Sequence, residues 1–175
     1  MTVNLELIKK LRDLTSASIN DCLKALTEAN QDIDKALQLL RQRGLEIALK
    51  KKDRPAQEGR IEAYVHLGNK IGVLLEVNCE TDFVARNEDF CRFTRDLALQ
   101  IAAQAPIYIN KEEIPQDELQ KHQDNLEDYL KSSCLMGQPF IKNPNISIKD
   151  YLADIVAKIN ENIVIRRFVR YKLGE

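Results

Sequence analysis

The chain has 175 residues, is 44% hydrophobic and 30% charged, and carries a formal net charge of -1. That length holds one sizeable domain, or a small one joined to a medium one, and the balance is that of a soluble globular protein with no global basic field to draw in nucleic acid. No apolar run of signal-peptide length follows a basic segment, and none approaches the roughly 20 residues of a membrane span, so the sequence reads as soluble and not secreted.

The first third is helical. Leu5, Ile8, Leu11 and Leu14 form one stripe, which Thr15-Ser16-Ala17-Ser18 interrupts. Ser18 caps the next helix with Asp21 at its third position, and Ile19, Cys22, Leu23, Leu26 and Ala29 form its stripe. Asp32 caps a third helix with Ile33, Ala36, Leu37 and Leu40 on one face, and Gly44 supplies a C-cap or bend. The three helices make a compact unit near the lower size limit for an independent core. From Lys50-Lys51-Lys52 to Glu58-Gly59 the chain is polar and aperiodic and reads as a linker, its lysines a solvated helix end.

From Gly59 the period becomes two. Ile61, Ala63, Val65 and Leu67 alternate with Arg60, Glu62, Tyr64 and His66. Gly68-Asn69 marks a two-residue hairpin, and Ile71, Val73, Leu75, Val77 and Cys79 form the buried face of the second strand. The strand then turns sharply into a helix. Asn87-Glu88-Asp89 starts that helix, a cap followed by two acids at the positive dipole end, which leaves residues 81–86 as an exposed turn holding Asp82 and Phe83. Phe90, Phe93, Leu97, Ala98, Ile101, Ala102 and Ala105 form the helix stripe, and Pro106 ends it.

Pro115 opens a helix with a thin stripe of Leu119, Leu126, Tyr129 and Leu130. Residues 135–141 read as extended. Ser147, with Asp150, caps a helix bearing Ile148, Tyr151, Leu152, Ile155, Val156 and Ile159. Residues 163–173 form a third strand, with a bulge at Arg166-Arg167. A small antiparallel sheet backed by two amphipathic helices buries these faces.

The chemistry of catalysis is missing. There is no Gly-rich phosphate cradle. The four cysteines, Cys22, Cys79, Cys91 and Cys134, form no C-x-x-C pair, and neither His66 nor His122 completes a zinc spacing. A Cys79–His66 nucleophile pair fails on parity, which sends the two side chains to opposite faces of the hairpin. The residues favour a binding or scaffolding protein over an enzyme. One binding alternative is an RNA- or ribosome-associated protein using Lys50-Lys51-Lys52 and Arg166-Arg167.

Four ordered stretches resemble the translation elongation factor Ts family. They are Leu7-Ile8-Lys9-Lys10-Leu11-Arg12 through Asp21-Cys22-Leu23-Lys24-Ala25-Leu26; Asn78-Cys79-Glu80-Thr81-Asp82-Phe83-Val84-Ala85-Arg86-Asn87; Gln138-Pro139-Phe140; and Glu161-Asn162-Ile163-Val164-Ile165-Arg166-Arg167-Phe168. Two departures stand out. The family's Thr-Gly-Ala-Gly-Met-Met reads Thr15-Ser16-Ala17-Ser18-Ile19-Asn20 here, and the segment between Leu119 and Tyr129 is shorter than in the family.

The resemblance implies an α+β fold: a three-helix, ubiquitin-associated-like module over residues 1–52 and an α+β core over 53–175. It implies a guanine-nucleotide exchange factor for elongation factor Tu, not an enzyme in the covalent sense, with no cofactor or metal of its own. Leu11, Arg12, Thr15, Asp21 and Cys22 would dock the module on Tu, in its GDP-bound or nucleotide-free state. Thr81, Asp82, Phe83 and Val84 would intrude near its magnesium site, with Phe83 as a wedge. No membrane or direct nucleic-acid contact is implied, and short members tend to form homodimers, giving a 2:2 complex. The compartment implied is bacterial cytoplasm or plastid stroma, with a lean toward the plastid from residues 135–141.

Overall fold

The computed structural model describes residues 4–15 and 17–175. Ser16, part of the expected break after the first helix, and residues 1–3 of the expected module lie outside the described residues. The N-terminal stripes become α1 (Leu5–Thr15), α2 (Ile19–Glu28) and α3 (Ile33–Lys51). Their starts follow local chemistry: Ser18 Oγ accepts from Asp21 N at 3.1 Å, and Asp32 Oδ1 accepts from Lys35 N at 3.1 Å. Ile8, Leu11, Cys22, Ala25, Leu26 and Ala36 close into one apolar core.

The third helix does not stop at Gly44. It runs to Lys51, because Gly44 is a packing position rather than a cap: a Cβ there would lie 3.4 Å from the Ala153 carbonyl oxygen of α8 (Ile148–Ile159). The linker shrinks to residues 52–57. The lysines do sit in the last turn of α3, but Lys51 is buried and donates to Asn160 O at 2.9 Å. Its ammonium thus meets the carbonyl end of α8, where a cation is favoured. Ile47 and Ala48 carry α3 onto a second, larger core.

That core is built on a three-stranded antiparallel sheet in the order β1-β2-β5, from β1 (Glu58–Val65), β2 (Ile71–Cys79) and β5 (Val164–Lys172). The helix α5 (Glu88–Gln104) covers one face, with Phe90, Phe93, Leu97 and Ile101 against Val73, Leu75 and Val77. Arg166 is the extra residue of a bulge between the pairs Glu76↔Arg167 and Val77↔Ile165, where the broken alternation had placed one.

The hairpin corrects two expectations. Gly68 and Asn69 carry positive φ angles of 87° and 57°, but the closing bonds run from Asn69 N to His66 O and from His66 N to Ile71 O, so the loop spans four residues, 67–70. More consequentially, β1 presents the other face. Ile61 pairs with Glu76 and Glu62 with Leu75, and cross-strand partners share a face, so Arg60, Glu62 and Tyr64 point toward α5 while Ile61 and Val65 are exposed. His66 therefore lies on the same face as Cys79, not the opposite one. The pair stays apart by distance instead, since eight positions of β2 separate Ile71, opposite His66, from Cys79, roughly 27 Å of strand.

The inward charges of β1 are paired with each other, although Arg60 Nε is buried without a partner among the described residues. Glu62 binds Arg60 at 2.8 Å and accepts from Thr94 Oγ1 at 3.1 Å, and Arg60 reaches Cys91 Sγ at 2.6 Å.

The single helix expected after Pro115 is two, α6 (Gln116–Lys121) and α7 (Leu126–Ser133), broken where His122 stacks on Tyr129 with ring centroids 3.9 Å apart. The stretch expected to be extended begins as a 3-10 turn, Leu135–Gly137. It then pairs β3 (Pro139–Phe140) with β4 (Asn143–Ser147), a hairpin absent from the sequence reading. Phe140 is buried there and stacks on Tyr151 of α8. Ser147 and Asp150 form the expected capping box.

Gly59, read as the end of the linker, lies inside β1 with φ +147°, and a Cβ there would sit 2.2 Å from Val77 O. The clash is with backbone, which cannot turn aside. Gly59→Ala is expected to lower unfolding stability by about 3 kcal/mol or more, read from urea denaturation.

Candidate partner-binding site

The junction between β2 and α5 is a one-turn helix, α4 (Asp82–Ala85), followed by the expected Asn87 cap, whose Oδ1 accepts from Asp89 N at 2.8 Å. The expected turn over residues 81–86 is thus helical. Thr81 is its cap: Thr81 Oγ1 accepts from Val84 N at 3.4 Å. Val84 and Ala85 turn inward onto the sheet core. Phe83 turns outward and is 78% exposed, away from the sheet core. Asp82 pairs with Arg86, whose guanidinium lies 5.8 Å from the centre of the Phe83 ring. The acid–aromatic pair is therefore a triad, and Arg86, at i+4 from Asp82, is the member that the sequence reading missed.

Thr81 is held from a distant part of the chain. The Glu161 carboxylate accepts from Glu80 N and Thr81 N, each at 3.0 Å, and from Thr81 Oγ1 at 2.7 Å. The Thr81 hydroxyl donates to Glu161 and accepts from Val84, using a donor and a lone pair together. Cys79 Sγ donates to Thr81 O at 3.1 Å. Burial, with the Glu161 charge second, pushes the Cys79 thiol up to about 11. It is a neutral donor near pH 7, not a nucleophile.

The N-terminal candidates divide by burial. Leu11 and Cys22 are fully inside the module core, so they shape its surface without touching a partner. Arg12 and Asp21 are exposed and Thr15 half-buried. Leu14 and Ile19, which the sequence places in the apolar stripes of α1 and α2, are exposed instead of buried. Arg12, Thr15 and Asp21 line a groove of about 700 Å³ that Asp154 and Lys158 of α8 face from the other side. The structure does not gather the two candidate groups into one cluster. It sets them at separate places, the module groove and the α4 tip.

The basic segments offered to RNA are partly committed: Lys51 to Asn160 O, and Arg167 to Glu76 at 2.7 Å. Among the described residues, no group of three His, Cys, Asp or Glu side chains is placed to hold a metal ion, and no helix is long and apolar enough to cross a membrane.

The family model for elongation factor TS matches residues 3–128. The chain is 47% identical to elongation factor Ts of Carboxydothermus hydrogenoformans, an alignment that covers 97% of this chain and 88% of that protein. It is 44% identical to the Caldanaerobacter subterraneus protein (99% and 98% covered) and 41% to that of Herpetosiphon aurantiacus (99% and 99% covered), both elongation factor Ts. The chain belongs to the elongation factor Ts family.

These elongation factor Ts relatives are bacterial and lend no support to a plastid assignment. The last two alignments run over 195 and 196 positions against 175 residues here, so this family member lacks residues that they carry.

Asp154 gives this elongation factor Ts chain a pH-dependent contact between α8 and α3. Burial raises its carboxyl to about 6; Arg41 opposes that rise and Asp150 adds to it. A carboxyl raised in the folded state favours folding while protonated. The unfolded chain ionises near the ordinary value of about 4, so stability is lost as pH rises from there through about 6. Asp154→Asn carries no such loss. Its thermal stability is expected to match wild type at pH 4 and to exceed it by about 1–2 kcal/mol at pH 7.5, after allowing for partial solvent exposure. Thermal melts across that range read the difference.

Proposed function

We propose that this chain is a guanine-nucleotide exchange factor for elongation factor Tu in translation elongation, acting in bacterial cytoplasm. The observation that carries this reading is Phe83. A large apolar side chain stands 78% exposed on a capped turn, within one of the stretches that resemble the family, in a chain that belongs to the elongation factor Ts family. Residues 1–52 serve as a docking module and 53–175 as the core that presents the tip. The exposed Arg12, Asp21, Leu14 and Ile19 meet the nucleotide-binding domain of Tu, and Leu11 and Cys22 hold the packing beneath them.

The α4 tip then enters near the magnesium site of Tu. Phe83 wedges between helices of the partner, with Thr81 and Val84 fixing its base. Asp82 engages or redirects polar groups there. Weaker magnesium coordination and weaker phosphate contacts release GDP, and GTP rebinds. Linkage makes the effect reciprocal: GDP loosens this factor from Tu by the same free energy by which the factor loosens GDP. The chain supplies contacts and no covalent chemistry, so it needs no cofactor.

The homodimer reading has support in the outer face of the sheet. Ile61 and Val65 of β1, Leu74 of β2, and Val169 and Tyr171 of β5 are exposed side by side, and no helix among the described residues covers them. A patch of this kind marks an interaction surface, and a second copy of the chain gives the 2:2 complex with Tu. Light scattering at micromolar concentration should return twice the monomer mass, and Leu74→Glu should return the monomer mass.

Release of a fluorescent GDP analogue from Tu tests the main reading. Wild type should accelerate release. Phe83→Ala should lose about 2 kcal/mol of that effect, some thirty-fold. No acceleration by wild type would overturn the exchange reading, and full acceleration by Phe83→Ala would overturn the wedge.

A further inference from the structure

We infer that Glu161 is the positioning residue of the tip: its carboxylate, more than seventy residues away in sequence, sets the base on which Phe83 stands. The inference rests on the exchange reading and assigns to the Glu161-Asn162 signature a role that the tip residues themselves leave open.

The geometry is specific. One carboxylate oxygen accepts both backbone N–H groups at the end of β2, those of Glu80 and Thr81, and the other accepts the Thr81 hydroxyl. Those two amides precede α4, so binding them fixes the direction in which the chain leaves the sheet. Binding the hydroxyl orients the oxygen that caps Val84 N. Backbone dihedrals and the cap are thus set by one group.

Glu161 is itself held. Asn160 has a left-handed backbone (φ 63°) that ends α8, and its carbonyl accepts from Lys51. Asn162, buried, donates its side-chain amide to Lys52 O at 3.2 Å and Arg54 O at 2.7 Å, and its backbone N–H donates to Glu80 Oε1 at 2.6 Å. The contacts are reciprocal: Glu161 binds the amides at 80 and 81, and Glu80 binds the amide at 162. A three-residue turn therefore fastens the end of α3 on one side and the base of α4 on the other. A purely structural ion pair would need none of this direction, since a carboxylate facing a lysine would serve equally well.

Two measurements test the assignment. In the free chain, Glu161→Ala is expected to speed hydrogen exchange at the Glu80 and Thr81 amides at least tenfold, while Leu75 and Val77 of β2 keep wild-type protection. In the GDP-release assay with Tu, Glu161→Ala should slow release to within threefold of Phe83→Ala. The double variant should be no slower than Phe83→Ala alone, because both changes remove one function. Glu161→Gln retains an acceptor for the two amides and a partner for the Thr81 hydroxyl, and should recover at least half of the wild-type rate. Unchanged protection at Glu80 and Thr81 overturns the clamp. Independent, multiplying losses in the double variant overturn its action through Phe83, and loss of protection across β2 as well shows a general folding role instead. If wild type itself fails to accelerate release, the exchange reading falls, and the hydrogen-exchange result alone decides whether Glu161 fixes the turn.

Discussion

Glu161 accepts three hydrogen bonds from Glu80 and Thr81, and this closure joins the two ends of the core. Strand β5 must follow α8 directly, and β5 pairs with β2 along its length, so the turn at residues 160–162 arrives beside the end of β2. An ionised acceptor there would be costly without donors. Two backbone N–H groups that have left the β ladder, and a cap hydroxyl, supply them. Each partner removes the other's unsatisfied group, and charge-assisted bonds of this kind are about twice as strong as neutral ones.

The same closure explains how the N-terminal helices are carried. Helix α3 belongs to both apolar cores, contributing Ala36, Leu37 and Leu40 to one and Ile47 and Ala48 to the other. A helix shared in this way transmits orientation, provided that its end is fixed. Lys51 on Asn160 O and Asn162 on the carbonyls of Lys52 and Arg54 fix it. Gly44 lets α3 lie close against α8 midway along. The groove that holds Arg12 and Asp21 is bounded by Asp154 and Lys158 on that same α8, so the module surface and the tip share one frame.

What was legible in the sequence was local. The caps at Ser18, Asp32, Asn87 and Ser147 reach only two or three residues ahead, so spacing revealed them, as broken alternation revealed the bulge at Arg166. The face of β1 was misread because Ile61, Ala63 and Val65 look like an inward set when the strand is taken alone. The pairing across Gly68-Asn69 forces the opposite parity once β2 is oriented by its own stronger stripe. That constraint was present in the sequence but required both strands at once. Gly44, Lys51 and Glu161 were out of reach for a different reason: the partner of each is a distant backbone group, and backbone carbonyls and amides leave no mark in composition. Asp82 and Phe83 were found because a change of period marks a turn. Their exposure followed from that turn, whereas its helical form and the Arg86 partner did not, since a single turn of helix is too short to show a period.

The strengths of these contacts differ in a way that bears on exchange. The Asp82–Arg86 pair beside Phe83 is exposed, so salt screens it and its net worth is about 0–1 kcal/mol. The Arg86 guanidinium over the ring adds about 0.5–1 kcal/mol at such a site. A partner that offers its own charges can displace both at little cost. The bonds beneath the tip are of another kind: Glu161 binds backbone amides, which carry no side-chain rotamers to lose. Ordering an interface loop on binding consumes free energy that would otherwise appear as affinity. With the base of α4 already ordered, that loss is confined to the side chains at its surface. The turn therefore combines a fixed support with releasable outer contacts, and such a support lets the insertion of one aromatic ring act against the partner rather than against its own chain.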